Sequence, residues 1–550
     1  MSVYVNHKGY LPTAVKMCLV GGRYDDNFEI YDTESGKAVF SGRLRPNFGD
    51  MGNMSIGNFS GMTQTGRYTV RHMGEESVAF DIGPDVYDGP CDLILSYFTK
   101  QRCGHETLGW NSPCHLDDGR RVDNGQHQDV SGGWHDANDL RKWVSATING
   151  MIGMIQLCDA GLPGIQRARV IDELRWGNKY FLAMQEPQGY IMNFCGGDMF
   201  RHADDNRWTN NIKGDADDRN INTSPCAPLA QFHFIHAQSG AARLTQDEDP
   251  AYSAKCLAAA KLCLEWAEAN NIPRSSIDLG GAVAALTQLY KATGDKIYLD
   301  KAAAYADSLM KLQEKPTRGS APGSRGYFKT FHNNEEPNNV ISSGHWQLIG
   351  LCQLYEQAPD HPDAKLWSDA VKAYIGEYLE PIAARTTFNM APFKLYLTDV
   401  QGGKRVGDRW YRNFMPPGSH WWVGNNANIA SAGVGVAMAA RIFGNKALMT
   451  FAQNQLDFII GRNPYNASTF VGVGYNVPQY MIGGEFYPQT PYIPGAVFNG
   501  MGGDEEDKAM LIPSSYNTCE YWTPMVVFTL WLMLELRGIS DNYVNLFLKK

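Results

Sequence analysis

The fold class the sequence predicts is mainly α: a small β-sandwich followed by a much larger set of helical hairpins. Two observations carry this. The hydrophobic period switches from two to helical near Pro84, and beyond it one plan recurs, an apolar helix ending at a Gly- or Pro-containing turn with an amphipathic helix after it. A third is length, since 550 residues exceed one ordinary core, which stops growing near ~250–300 residues outside large barrels. The division read from the period is 1–84 for the β part and 85–550 for the helical part.

Up to about Gly83 the segments VYVNHKGY, KMCLVGG, FEIYDTESGKAVFSG, GRYTVRH and SVAFDIG alternate and are punctuated by Gly, Asn and Asp, the pattern of short sandwich strands. The clearest helical hairpin is VAALTQLYKATGDKIYLDKAAAYADSLMKLQ, with Gly294 in the C-cap region and Asp295 opening the next helix. The segments beginning WQLIG, GVGVA and FHFIH repeat the plan, which predicts helices in a ring or stack. Long loops rich in Asn, Gly, Trp and Tyr lie between them, at 196–226, 314–345, 400–428 and 463–518. Long loops in a compact domain are usually functional, so the active site is expected where they converge.

Hydrophobic residues make up 43% and charged residues 19%, with no apolar run near the ~20 residues a membrane span needs, which predicts a globular protein with no membrane partner. A net charge of -9 without a Lys/Arg-rich block excludes nucleic acid as the expected partner and favours a neutral substrate. Eleven scattered cysteines and an N-terminus, MSVYVNHKGYLP, with no export signal read as a cytoplasmic chain. A secreted or periplasmic chain trimmed of its signal has the same sequence.

The densest chemistry is SGGWHDANDLRKW, residues 131–143. Asp136 and Asp139 stand three apart ahead of Leu140, Trp143, Val144 and Ile148, which reads as the first turn of a helix with both carboxylates on one side. Two readings stand: the pair caps the helix, or one of them is a general base kept ionised by that placement. Glu520, in SSYNTCEYWTPMVVFTLWLM, lies at the entrance of an apolar helix. It is either a first-turn charge or, with its pKa raised by aromatic burial, a general acid. Carboxyl sites pushed in opposite directions are the acid/base pattern of glycoside hydrolysis.

In five ordered motifs the chain resembles glycoside hydrolase family 9, the cellulase family that joins an N-terminal immunoglobulin-like domain to an (α/α)6 barrel. VNHKGYLP resembles its opening strand, YFTKQRCG its entry to the barrel, SGGWHDANDLRKW its Gly-Gly-Trp-x-Asp-Ala-Gly-Asp signature, and FIIGRNPYNASTFVGVG and YNTCEYWTPMVVFTL its two C-terminal segments. The resemblance implies Asp139 as base, Asp136 as holder of the attacking water and Glu520 as proton donor. Cys103, Cys114, His115 and His135 offer two thiolates and two imidazoles without a zinc-finger spacing, and the residues alone leave reduced core cysteines as an alternative. The resemblance implies a structural zinc there. Calcium is a second metal the family carries. Asp215, Asp217 and Asp218, and the acidic run from Asp504 to Asp507, offer oxygen ligands without an EF-hand pattern, and solvated acidic loops are the competing reading.

Trp208, Trp346, Trp421, Trp422 and Tyr516 lie in or beside the long loops, where each is either a face for a sugar ring or packing between helices. Trp422, in WWVGNNANIA, resembles the family's Trp-Gly-Ser-Asn segment.

Two positions depart from the family. Asn138 stands where the signature has Gly, and Asn tolerates unusual backbone angles. The His-His-Arg run expected after GRNPYNASTFVGVG is missing, and no His or Arg occurs between Arg462 and Arg537. The expected activity is an inverting endo-β-1,4-glucanase acting on β-linked oligo- or polysaccharide. The alternative is an exo-acting hydrolase of short β-linked oligosaccharides, a β-glucosidase or an exo-β-glucosaminidase in which Glu485 or Asp504 meets an ammonium group. A non-catalytic carbohydrate-binding protein is the reading from another class, and it has no use for Asp136, Asp139 and Glu520 together.

Overall fold

The computed structural model describes residues 2–106, 112–197, 208–270, 272–418, 422–479 and 493–547, with side chains to 538. Nine strands form the N-terminal part: β1 (Val3–Tyr4), β2 (Gly9–Tyr10), β3 (Met17–Gly21), β4 (Asn27–Asp32), β5 (Ala38–Gly49), β6 (Gly52–Asn58), β7 (Gly66–His72), β8 (Glu75–Glu76) and β9 (Phe80–Ile82). Strand β5 serves both halves: its first residues pair with β4 and its last with β6, so the strand order β1-β3-β6-β5-β4-β7-β9-β2 folds over on itself. Phe28 of β4 is buried between the halves, where a Cβ on Gly57 of β6 would fall 2.5 Å from its ring. Tyr10, Phe59 and Phe80 complete the core with edge-on ring contacts.

The rest is built from helices: α1 (Asp88–Gln101), α2 (Val144–Ala160), α3 (Arg167–Ala183), α4 (Pro228–Thr245), α5 (Pro250–Ala269), α6 (Ser276–Thr293), α7 (Lys296–Met310), α8 (Trp346–Gln357), α9 (Ala364–Tyr374), α10 (Glu380–Ala383), α11 (Asn426–Phe443), α12 (Leu448–Ile459), α13 (Tyr516–Cys519) and α14 (Thr523–Phe547). Helices α2, α4, α6, α8, α11 and α14 touch in that order, and α14 closes back onto α2. Each of α3, α5, α7, α9 and α12 packs outside its inner neighbour, and α1 lies outside α14, giving the (α/α)6 barrel.

Burial follows the position in the ring. Inner α11 buries every residue from Asn426 to Ala440, whereas outer α7 buries only Ala302, Ala306 and Leu309, a single stripe. The α6/α7 turn is formed as the sequence predicts. Gly294 is left-handed at φ 71° with its N–H on Tyr290 O, and Asp295 accepts from the Ile297 N–H.

The expected structureless loops are partly ordered. Strands β10 (Arg120–Arg121), β11 (Lys142–Trp143), β12 (Met192–Gly196) and β13 (Asn220–Pro225) make a small sheet in the order β10-β13-β12-β11 beside the N-terminus of α2. The β-domain is docked through VNHKGYLP: Asn6 Nδ2 donates to Asp457 Oδ1 at 2.9 Å, the His7 N–H donates to Ile460 O at 2.8 Å, and the His7 ring lies against Gly461 and bonds Asn466.

Helices α6 and α8 cross backbone to backbone, because a Cβ on Gly350 would lie 2.4 Å from Gly280 O. Gly350→Ala should therefore destabilise the fold by ~1–3 kcal/mol of overpacking, overriding the roughly 1 kcal/mol of helix propensity that Ala adds. Gly89→Ala in α1, where a Cβ meets nothing within 4 Å, should leave stability unchanged or raised. Urea denaturation of the two variants checks the pair; a Gly350→Ala protein as stable as Gly89→Ala would contradict the close crossing.

Candidate active site and metal centre

The site begins with a pair of glycines. Gly133 has φ 73°, and a Cβ there would meet Tyr180 Cβ at 2.6 Å, so the chain can turn here only without a side chain. Trp134 follows, fully buried, its ring close enough to Gly177 of α3 that a Cβ would sit 2.0 Å away. Its Nε1 donates to Glu173 Oε1 at 2.7 Å, and Glu173 also accepts from Arg102 Nε at 3.1 Å. An antiparallel bridge between Arg102 and Trp134, flanked by the Cys103 N–H on Gly133 O and the His135 N–H on Gln101 O at 2.9 Å each, ties the segment carrying Cys103 to the one carrying His135.

Segment 136–143 is not the helical turn that the apolar spacing predicts. Leu140 is left-handed at φ 58°, Lys142 and Trp143 pair with Cys195 and Phe194 across β12, and α2 starts only at Val144. Asp136 and Asp139 therefore sit on a closed loop ahead of the helix and do not cap it. The Asp136 N–H donates to Arg141 O at 3.0 Å, and its carbonyl accepts from Thr523 N at 3.2 Å and Oγ1 at 3.1 Å. Asp136 Oδ2 accepts from Trp522 Nε1 at 2.9 Å and Oδ1 from the Trp143 N–H at 3.4 Å. Asp139 Oδ1 accepts from the Arg141 N–H at 3.2 Å.

Glu520 occupies the extended link between α13 and α14, and its Oε1 accepts from the Asn138 N–H at 3.3 Å. Residues almost four hundred positions apart are thus joined at one point. The Asn138 side chain is buried, and its amide has no hydrogen-bond partner among the described residues. Its φ is not positive; the residue in this loop that needs the left-handed region is Leu140.

Asp136 is buried and Asp139 and Glu520 are half-buried. Burial, with the charges of Asp139 and Asp136 added, pushes Glu520 well above the usual carboxylate range. Burial and Asp139 do the same to Asp136. Burial also raises Asp139, but the Arg141 guanidinium, the Arg141 N–H and Arg219 oppose it, so the negative charge falls most easily there. The sequence reading has a helix N-terminus favour the charge on Asp139; in the structure the guanidinium groups of Arg141 and Arg219 do so, against burial.

Beneath the loop lies a buried ion network the sequence did not reveal. Arg219 donates to Asp118 at 2.8 and 2.7 Å and to Leu140 O at 2.7 Å, one residue from Asp139. Lys142 Nζ meets Asp118 Oδ2 at 2.8 Å and Val130 O at 2.7 Å. Against burial that would raise it, Arg219 and Lys142 hold Asp118 far below the usual carboxylate value. Arg141 and Lys142 could have been noticed beside Asp139, and Trp522 beside Glu520. Asp118 and Arg219 are remote in sequence and carry no local signal.

Cys103, Cys114, His115 and His135 are all buried, with ligand atoms within 4.8 Å of one another. Cys103 Sγ stands 3.7 Å from His115 Nδ1, and Cys114 Sγ 3.7 Å from His135 Nε2. A tetrahedral ion with bonds of ~2.3 Å to sulfur and ~2.0–2.1 Å to nitrogen spaces its ligands by about 3.6 Å, so the four fit one metal ion with no open position. Hydrogen bonding to Cys103 brings the Cys114 thiol down to about 7, near the thiolate form a metal takes. Trp208 stacks on His115 at 5.6 Å.

A second group, Asp117, Asp217 and Asp218, also brings carboxylate oxygens within 4.8 Å, and Asp117 Oδ2 is buried without a partner among the described residues. Asp215 is not in this group; it accepts from Asn210. The run from Asp504 to Asp507 is tied up otherwise. Asp507 is buried on Lys404 at 2.6 Å, and Asp504 Oδ1 accepts from the Glu506 and Lys508 N–H groups.

The aromatic residues divide. Trp422 is half-buried against Gly502, its carbonyl accepting from Asn517 Nδ2 at 2.7 Å three residues before Glu520, and Tyr516 is exposed on α13. Trp346, expected as a sugar platform, is instead core. As the first residue of inner α8 it is fully buried, its ring 4.6 Å from His233 and 6.0 Å from Trp531. Trp421 and Glu485 lie outside the described residues.

The profile of glycosyl hydrolase family 9 matches residues 87–505, which include Asp136 and Asp139 and stop before Glu520, and that of the cellulase N-terminal ig-like domain matches residues 1–77. Endoglucanase D of Acetivibrio thermocellus is 22% identical over 516 residues, covering 86% of this chain and 73% of its own. A cellodextrinase of Butyrivibrio fibrisolvens is 32% identical over 155 residues, 26% of this chain and 28% of its own. Among solved structures, a family 9 glycoside hydrolase from Bacteroides ovatus has a TM-score of 0.69 at 19% identity, covering 98% of this chain and 99% of that one, a likeness of fold.

Proposed function

The chain belongs to glycosyl hydrolase family 9, and from that premise we propose that it hydrolyses β-1,4-linked glucan or gluco-oligosaccharides with inversion, Asp139 serving as general base and Glu520 as general acid. The observation that carries the reading is the convergence of three carboxyl groups across the Asn138 N–H to Glu520 contact. Protonated Glu520 gives its proton to the glycosidic oxygen as the bond breaks. Ionised Asp139 takes a proton from a water attacking the anomeric carbon from the opposite face. Asp136, with one oxygen on Trp522 and the other on Trp143, has lone pairs left to orient that water.

Endoglucanase relatives support action within a polymer. The missing His-His-Arg run and the partial likeness to a cellodextrinase favour a second reading, preference for short chains.

We assign zinc to Cys103, Cys114, His115 and His135. With four protein ligands it would be structural, tying the Cys103 and Cys114 segments to the residue before Asp136. Calcium is proposed at Asp117, Asp217 and Asp218, which would supply three of its ~6–8 oxygen ligands.

On a cello-oligosaccharide series, Glu520→Gln and Asp139→Asn should each cost at least the ~10²–10⁴ typical of general acid–base catalysis. A glycosyl fluoride, whose leaving group needs little protonation, should rescue Glu520→Gln far better than Asp139→Asn. Activity should rise with pH as Asp139 ionises and fall as Glu520, held above the usual carboxylate range, loses its proton. The alkaline limb should vanish for Glu520→Gln on the fluoride; equal rescue of both variants, or an unchanged limb, would reverse or remove the assignment. For the metal, elemental analysis should find about one zinc per chain at the four-ligand site, with both zinc content and melting temperature lowered in Cys114→Ser. Zinc-free protein of unaltered stability would refute it.

A further inference from the structure

The catalytic loops sit at the N-terminal ends of α2 and α14, while the C-terminal halves of four inner helices, α2, α6, α8 and α11, and the middle of α14 converge elsewhere, around a cavity of about 510 Å³ at the opposite mouth of the barrel. That volume falls within the ~300–1,000 Å³ of small-molecule sites. The lining has three carboxylates, Asp159, Glu356 and Glu535, and three cations, Lys291, Arg441 and Arg537, so it carries no net charge.

Most of those charges are already matched. Arg441 binds Glu356 and, at 3.3 Å, Glu535; Arg243 holds Asp159 at 2.7 Å; Arg537 holds Asp88 at 2.7 Å. What remains open is hydrogen bonding. Four residues with side-chain amides line the space, Gln156, Gln288, Gln353 and Gln357, and Gln288 Nε2, buried beside Gly240 of α4, has no partner among the described residues. Trp531 forms part of the wall, its Nε1 directed to Glu535 at 3.3 Å.

A phosphate or other anion needs net positive charge, and an apolar ligand needs a greasier wall. Planar amides beside paired carboxylate and guanidinium groups present donors and acceptors side by side, the arrangement that meets vicinal hydroxyl groups. We propose that this distal cavity is a second saccharide site, taking a neutral gluco-saccharide of one or two hexose units. The glucose chemistry rests on the reading of the cleft as a β-1,4-glucan hydrolase.

The test uses cellobiose and hydrogen–deuterium exchange on the unmutated full chain, with calorimetry on Glu520→Gln. Cellobiose should protect the last turns of α6 and α8 as well as the catalytic loops, and calorimetry should resolve two binding events. Gln353→Trp, which fills the cavity, and Gln288→Leu, which removes the unpartnered amide, should each weaken one event at least tenfold while initial rates on cellotetraose stay unchanged. Protection confined to the catalytic loops, or a second event indifferent to both variants, overturns the proposal. Failure of the glucan reading is separate, since it appears as absent cellotetraose hydrolysis, whereas failure of the distal site leaves hydrolysis intact.

Discussion

Three carboxyl groups gathered at one place, Asp136 buried and Asp139 and Glu520 half-buried, make one another's charge costly, and the rest of the structure is arranged around that constraint. Asp139 raises the pKa of Asp136, and both raise that of Glu520, on top of what burial does to each. Which group ionises is decided by the surroundings. Arg141 and Arg219 stand on the side of Asp139, while Glu520 has only the Asn138 N–H to favour its charge. That asymmetry is what the proposed base and acid need: charge is favoured on Asp139 and disfavoured on Glu520.

Holding such a cluster demands a support that does not yield. The loop from Asp136 to Trp143 has no helical hydrogen bonds of its own, and its backbone is fastened to Thr523, to β12 and, through Leu140, to Arg219. Buried ion pairs are weak sources of stability, since desolvation offsets attraction, but removing one partner strands a charge at a cost of ~3–5 kcal/mol. The Arg219, Asp118 and Lys142 network therefore acts as a positional lock. Arg219 Nη2 also reaches Cys103 Sγ at 3.9 Å, so the candidate metal centre and the loop carrying the proposed base share one support.

Much of this was legible in the sequence, and the failures have physical causes. Period and turn residues gave the hairpin of α6 and α7 down to Gly294 and Asp295. Strand β6, GNMSIGN, escaped because the position facing Phe28 must be Gly57, which erases the alternation. Residues 136–143 imitate a helical turn in their apolar spacing, but partners more than fifty positions away, Phe194 and Cys195, pull Lys142 and Trp143 into a strand. Trp346 resembles a cleft aromatic from its neighbours alone; only the closure of the ring makes α8 an inner helix and Trp346 core. The carboxylates themselves were visible because they sit in short, dense motifs, while Asp118 and Arg219, which steady them, are dispersed.

The central claim is that Asp139 and Glu520 act on opposite faces of the sugar in one displacement. Inverting pairs stand ~6.5–9.5 Å apart to admit a water, whereas a retaining pair is closer and passes through a covalent intermediate. Proton NMR of the first product released from a β-linked cello-oligosaccharide measures this directly. The α-anomer should appear first and mutarotate to the equilibrium mixture; the β-anomer appearing first would contradict the assignment of Asp139 as a base acting through water.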